Sequence, residues 1–166
     1  MPILLKNRAI VAVLLAAAAA SCSINGYHGN GDDNFYSAFK AFEGAEWYYS
    51  RPLEFTVDTL ADSICPHGDL LITLRHTDGY DYRNLWLEID YDADNEDSQP
   101  DTINVILADV YGHWRGSGSG NSFQVTDTVR RDMPLRCGQR ITLRRIMRSD
   151  TLYNIEHAGS TYLPAE

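Results

Sequence analysis

From Trp47 onward the apolar residues of this chain recur at every second position, and that period demands strands, not helices. Leu53, Phe55 and Val57 alternate with Glu54, Thr56 and Asp58. Leu70, Ile72 and Leu74 alternate with Leu71, Thr73 and Arg75, and Leu85, Leu87, Ile89 and Tyr91 alternate with Asn84, Trp86, Glu88 and Asp90. Residues 102–110 are apolar on both faces, as a central strand would be. Phe123 with Val125, Ile141 with Leu143, and Tyr162 with Leu163 add further short runs, and Asp78-Gly79 stands between two runs as a hairpin signal. No segment carries a convincing 3.6-residue period. The pattern predicts an all-β fold: one antiparallel β-sandwich, jelly-roll-like, over 45–166. A chain of 166 residues has room for one such core and not for two ordinary ones.

One run strains the rule. In "RITLRRIMRS", strict alternation after Ile141 and Leu143 would point Arg145 at the core. Either a bulge at Arg144-Arg145 shifts the phase and turns Ile146 inward, or Arg145 is buried and satisfied. An unpaired buried charge costs several kcal/mol, so the expectation is the bulge.

The first residues follow different rules. Lys6 and Arg8 precede an unbroken apolar run of twelve residues, 9–20, and Ser21-Cys22 follows at once. This is the layout of a secretory signal, and the run is shorter than the roughly 20 residues needed to cross a bilayer. "LLAAAAASC" resembles a bacterial lipobox, in which the chain is cut just before a cysteine that then carries acyl chains. The expected division is a signal peptide at 1–21, a lipidated Cys22 with a tether over 22–44, and the sandwich at 45–166. Within the tether, the first half is rich in Gly and Asn, and Phe35, Tyr36, Phe39 and Phe42 lead into the fold. Loss of 1–21 removes Lys6 and Arg8 and no acid, leaving 12 basic against 23 acidic side chains, a net charge of −11. Nucleic acid and anionic lipid repel such a chain, so attachment to membrane lipid falls to the acylated cysteine alone. Cys65 and Cys137 remain in an oxidising compartment, as a disulfide or as two free thiols.

The segment "DYDADNEDSQPD" places Asp90, Asp92, Asp94 and Asp101 at positions 1, 3, 5 and 12 of an EF-hand calcium loop. Asn95 stands where that loop needs Gly, Asp101 is shorter than the usual bridging Glu, and strands flank it where helices should. A solvated, self-repelling hairpin connection is the expectation, and no metal is assigned. "RHTDGYDYRNL" gathers His76, Asp78 and Asp81 without a nucleophile motif, and its polar side chains are expected on an exposed face. "GHWRGSGSGNS" fits neither a phosphate loop nor a nucleophile elbow; it suits a strand end where Trp114 packs over closely approaching backbone. No motif calls for a cofactor or an enzyme. The remaining chemistry is aromatic: Trp47, Tyr80, Tyr82, Trp86 and Trp114 are the candidate partner-binding residues. Exposed rings stack on sugars or anchor a protein partner; buried ones pack the core. Trp86 stands out because it occupies the polar phase of its strand.

The series "LEFTVDT", "ITLRH", "YDYRNLWLEI", "PDTINVILADVYGHWRGSGSG" and "RITLRRIMRSDTLYNIEHAGSTYL" resembles the GldH family of gliding-motility lipoproteins, over roughly 36–163. The most specific pieces are Arg75-His76 to Asn84-Leu85, the run Gly112-x-Trp114-x-Gly116-x-Gly118, and Met147-Arg148. Cys22 matches the family's lipidated cysteine, and the chain departs from the pattern at Asn154, where Gly is usual, and at Arg145, where an uncharged polar residue is. The resemblance implies a non-enzymatic envelope lipoprotein, tied to the gliding machinery and its linked secretion system and working through contacts with other envelope proteins. With no acidic tag directly after Cys22, the periplasmic side of the outer membrane is favoured. The alternative function is a carbohydrate-binding sandwich using exposed aromatics, with calcium as a possible aid.

Overall fold

The computed structural model describes residues 36–57, 67–92, 97 and 99–164. The strands run in the order β1 (Tyr36–Ala41), β2 (Glu46–Tyr48), β3 (Leu53–Thr56), β4 (His67–Thr77), β5 (Asn84–Asp90) and β6 (Asp101–Ile106). After these come β7 (Ser117–Ser119), β8 (Ser122–Pro134), β9 (Arg140–Arg145), β10 (Thr151–Tyr153) and β11 (Ile155–Pro164). A five-stranded sheet has the order β1-β11-β4-β8-β7, a four-stranded sheet has β3-β9-β5-β6, and β2 pairs with β10 as a small ribbon. Every pairing is antiparallel. This is the all-β sandwich that the alternating pattern predicts.

The core lies between the two larger sheets because each contributes the apolar phase of its strands. Leu70, Ile72, Leu74, Ala158 and Tyr162 come from one sheet; Phe55, Leu85, Leu87, Ile89, Ile141 and Leu143 come from the other. Burying each such aliphatic side chain contributes about 1.5–3 kcal/mol before chain entropy is counted.

Four expectations change. First, the sheet starts before 45: Tyr36 is buried and faces Tyr162, so Tyr36–Ala41, within the stretch read as tether, is a strand of the larger sheet. Its ring belongs to the core, in keeping with the aromatics that lead into the fold there, and the boundary at 45 moves back to Tyr36. Second, Asp78-Gly79 does not close a hairpin. The turn is made, with Tyr80 N–H donating to Thr77 O at 3.2 Å, but β4 and β5 lie in different sheets, so the turn starts a crossing between layers. Third, the strand within 102–110 is an edge, not a centre. β6 ends at Ile106, and Val110 sits in an exposed turn. Fourth, β9 has no bulge at Arg144-Arg145. Ile89 faces Leu143, Glu88 faces Arg144 and Leu87 faces Arg145 without a shift.

The strand directions define two ends. β11 begins at Ile155 opposite His76 and reaches Pro164 opposite Gly68, and β1 begins at Tyr36 opposite Tyr162. The chain therefore enters the larger sheet at the end that carries the acidic connection between β5 and β6. The turn at 77–83, the turn at 109–113 and the segment 146–150 gather at the other end.

Candidate docking surface

The end away from chain entry is built from aromatic rings around two buried polar side chains. His76 follows Leu70, Ile72 and Leu74 on the inner phase of β4, so its ring turns inward and is fully buried. Trp114 meets it edge-on at 4.6 Å between centroids, with Tyr80 at 5.7 Å and Phe123 at 5.8 Å. Its Nδ1 lies 2.8 Å from Thr77 O, so that nitrogen carries the hydrogen and donates it. Nε2 is then a bare acceptor with no hydrogen-bond partner. Burial, the largest influence, lowers the pKa of His76, against the opposing pulls of Thr77 O and Glu156.

A pH dependence follows from that sign. A histidine whose folded pKa is depressed contributes stability that is present above its unfolded pKa, about 6.5, and lost as pH falls through the folded value. Urea midpoints between pH 7 and pH 5 are expected to fall more steeply for the native chain than for His76→Phe, which fills the same cage. Equal slopes would remove this role from His76.

Arg145 is the second buried group. Its Nε donates to Trp47 O at 2.9 Å, Nη1 to Ser149 O at 2.5 Å, and Nη2 to Asp150 O. Three main-chain carbonyls converge on one guanidinium, which is why the charge is accommodated without a bulge. The Tyr49 ring covers it with the guanidinium carbon 5.6 Å from the centroid. Tyr80 and Tyr82 also bear on it electrostatically and meet each other edge-on at 5.6 Å.

Around this base the surface is aromatic. Tyr49, Tyr82 and Trp86 are exposed by 50%, 39% and 42%, and Tyr111 by 83%. Asn154, with φ of +66°, sits in the left-handed region that Gly occupies easily and Asn tolerates. Its side chain donates to Gly79 O at 2.8 Å and accepts from Thr77 Oγ1 at 3.1 Å, fixing the turn that carries Tyr80 and Tyr82.

A family model described as GldH lipoprotein matches residues 34–161, most of the chain and nearly all of the sandwich. The chain belongs to the GldH lipoprotein family. It is therefore a gliding-motility-associated lipoprotein of the cell envelope, in a family that is not one of enzymes. No curated protein matches it. Among solved structures, Eiger TNF from S. frugiperda is similar at 11% identity and a TM-score of 0.35, over 80% of this chain and 96% of that one. Infectious bursal disease virus, Gx strain, is similar at 11% identity and a TM-score of 0.28, over 81% of this chain and 30% of that one.

The GldH-family structure sorts the candidate aromatics into two groups. Trp47 is buried, stacked on Phe42 at 4.8 Å with Nε1 donating to Arg51 O at 3.0 Å. Tyr80 is buried too; its hydroxyl donates to Asn84 O at 3.3 Å, and burial pushes its pKa far above the usual phenol value. Trp114 is half-buried against His76 and Phe123. These three support the surface from beneath, so the exposed members of the predicted set are Tyr82 and Trp86. His76 likewise leaves the exposed face expected of it, whereas Arg75 stays nearer the surface, donating to Ser122 at 2.8 Å and pairing with Glu156 at 3.0 Å. Val110 and Tyr153 are exposed apolar residues that the sequence reading did not single out. An apolar pair directly before Gly112 was the available signal for Val110, since turns ordinarily carry polar residues there.

Other candidate sites resolve differently. Cys22, Cys65 and Asp94 lie outside the described residues, and Cys137 is an exposed free thiol. Asp90 accepts from Asp92 N–H at 3.1 Å, and Asp101 accepts the Tyr91 hydroxyl and faces Arg130 at 3.5 Å. Among the described residues no three His, Cys, Asp or Glu side chains gather as metal ligands. On the outer face of the four-stranded sheet, a depression of about 280 Å³ is lined by Glu54, Glu88, Arg140 and Arg144. Its acids and bases pair across strands at 3.8 Å, as Glu54 with Arg140 and Glu88 with Arg144. Exposed pairs of this kind contribute about 0–1 kcal/mol. A wider groove of about 790 Å³ passes Phe42, Tyr48 and Arg51, and there the Arg51 guanidinium covers one face of the Tyr48 ring.

Proposed function

We propose that this GldH-family lipoprotein is an assembly component that holds another envelope protein against its aromatic end. In this reading the segment 1–21 is removed, Cys22 carries the acyl chains, and the body faces the periplasm from the outer membrane. The supporting observation is the separation of the two ends. The chain enters the sheet at Tyr36, whereas Tyr49, Tyr82, Trp86 and Tyr111 are exposed at or toward the other end, over a base stiffened by His76 and Arg145. A tether at one end leaves the other free to meet a partner. Exposed Tyr and Trp on a stiff base suit such contacts because they bring large areas with little loss of side-chain freedom.

The test uses the full lipidated chain purified in detergent from its own membranes. Native protein is expected to retain a defined envelope protein that a Tyr49→Ser, Tyr82→Ser, Trp86→Ser variant loses at least tenfold. A Phe39→Ser, Leu163→Ser variant, altered at exposed positions elsewhere, should retain it. Equal retention by all three proteins would contradict the reading. Cys22→Ser is expected to move the protein from the membrane to the soluble fraction, and persistence in the membrane would dismiss the lipid anchor.

A further inference from the structure

The turn at 109–113 is built in a way that the fold itself does not require. Asp109 N–H donates to His113 O at 2.9 Å and Gly112 N–H to Asp109 O at 3.2 Å, closing a short loop. The Asp109 carboxylate then accepts from Tyr111 N–H at 2.8 Å, from His113 N–H at 2.9 Å and from His113 Nδ1 at 3.1 Å. Beneath it, Ala108 bridges Trp114, and Leu107, fully buried, donates its N–H to Arg83 O at 2.8 Å. A loop held by so many bonds has little freedom left to lose. At its tip stand Val110, 73% exposed, and Tyr111, 83% exposed. Neither belongs to the core. Apolar side chains on a stiff projection contribute nothing to folding, yet they would lower the entropy that a binding partner must otherwise overcome.

The geometry points to Val110 and Tyr111 as the anchor pair of the interface, seated in an apolar pocket of a partner protein with a hydrogen-bond acceptor at its floor for the Tyr111 hydroxyl. The inference rests on the docking reading above and narrows it to one projection. The stretch from Cys22 to Tyr36 spans at most about 50 Å when fully extended, and it joins the sheet at the opposite end. The tip stands at the end of the sandwich away from Tyr36, so the place where that stretch joins the sheet does not cover it. A convex pair of this kind fits a cavity in another protein better than a flat face.

The experiment places the photo-crosslinking residue p-benzoylphenylalanine, in separate full-length lipidated proteins, at Tyr111, at Trp86 and at Leu163, and irradiates intact cells. The expected result is one discrete adduct from position 111, at least tenfold stronger than from 163, whose mapped peptide carries aliphatic or aromatic residues. Tyr111→Ala is then expected to lose at least tenfold of that same protein in detergent pull-downs, while keeping the native urea midpoint. A discrete adduct from 86 with none from 111 would overturn the anchor and leave the docking reading standing. No adduct from either 86 or 111 would overturn both. An adduct from 111 with lipid, or with a second copy of this chain, would overturn the partner assignment.

Discussion

Replacing Arg145 by leucine is expected to destabilise the domain by about 1–3 kcal/mol, read as a lower urea midpoint at pH 7. The side chain is fully buried, and its guanidinium is the donor for Trp47 O, Ser149 O and Asp150 O. Asp150 O keeps a second donor, Tyr49 N–H at 2.9 Å, so its carbonyl is spared. Trp47 O is spared likewise, because Leu152 faces Trp47 in the β2–β10 ladder, so the loss falls mainly on Ser149 O, and such a loss costs about 1–3 kcal/mol. Leucine restores apolar volume and none of the bonds. Lysine keeps the charge but offers one compact ammonium where a planar fork spans three acceptors, so Arg145→Lys should recover less than half of the loss. Because the three carbonyls belong to β2 and to the segment before β10, amide exchange there should rise most. A change under about 0.5 kcal/mol for Arg145→Leu would mean that water replaces the guanidinium without penalty, and the latch would have no structural role.

Gly116→Ala should do comparable damage for an unrelated reason. Gly116 has φ of +87°, and a Cβ there would stand 1.9 Å from Gln124 O, a main-chain atom that cannot swing aside. The β7–β8 pairing would have to open. A left-handed backbone adds about 1–2 kcal/mol and a forced shift another 1–3, so the expected destabilisation is about 2–5 kcal/mol. Gly112→Ala is the matched comparison. Its φ is also +87°, but nothing lies within 4 Å of an added Cβ, so only the backbone contribution remains. Urea unfolding of the two variants side by side separates crowding from conformation. Equal losses would show that the close approach at Gly116 relaxes freely.

The period-two pattern made the sandwich legible because each buried face needs its own apolar phase, and a one-residue slip would expose all of it. The same phase held more than was drawn from it. Leu70, Ile72 and Leu74 already placed His76 inside, and Ile141 and Leu143 placed Arg145 there. The Asp78-Gly79 turn argues for an exposed His76, and the cost of an unpaired buried charge argues against a buried Arg145. Burial becomes tolerable when distant segments bring acceptors or rings to the site, as Trp47 does for Arg145 and Trp114 and Phe123 do for His76. Such partners are 47 residues away for Phe123 and 98 for Trp47, beyond any window of local reasoning. Asp78-Gly79 announced a turn correctly, but a turn does not say whether the next strand returns to the same sheet. Of the candidate aromatics, Trp86 was readable from its polar phase. Tyr80 and Trp114 were not, because their burial depends on how three loops meet at one end.

The aromatic end is expected to meet a protein while the other end is held by the tether. Hydroxyl-radical footprinting of the native lipidated chain, in its own membranes and after purification in detergent, tests it most directly. At least threefold protection of Tyr82, Trp86 and Tyr111 is expected in membranes, with Leu163 oxidised alike in both samples. Equal oxidation of all three aromatics in the two samples, or protection confined to Leu163, would contradict it.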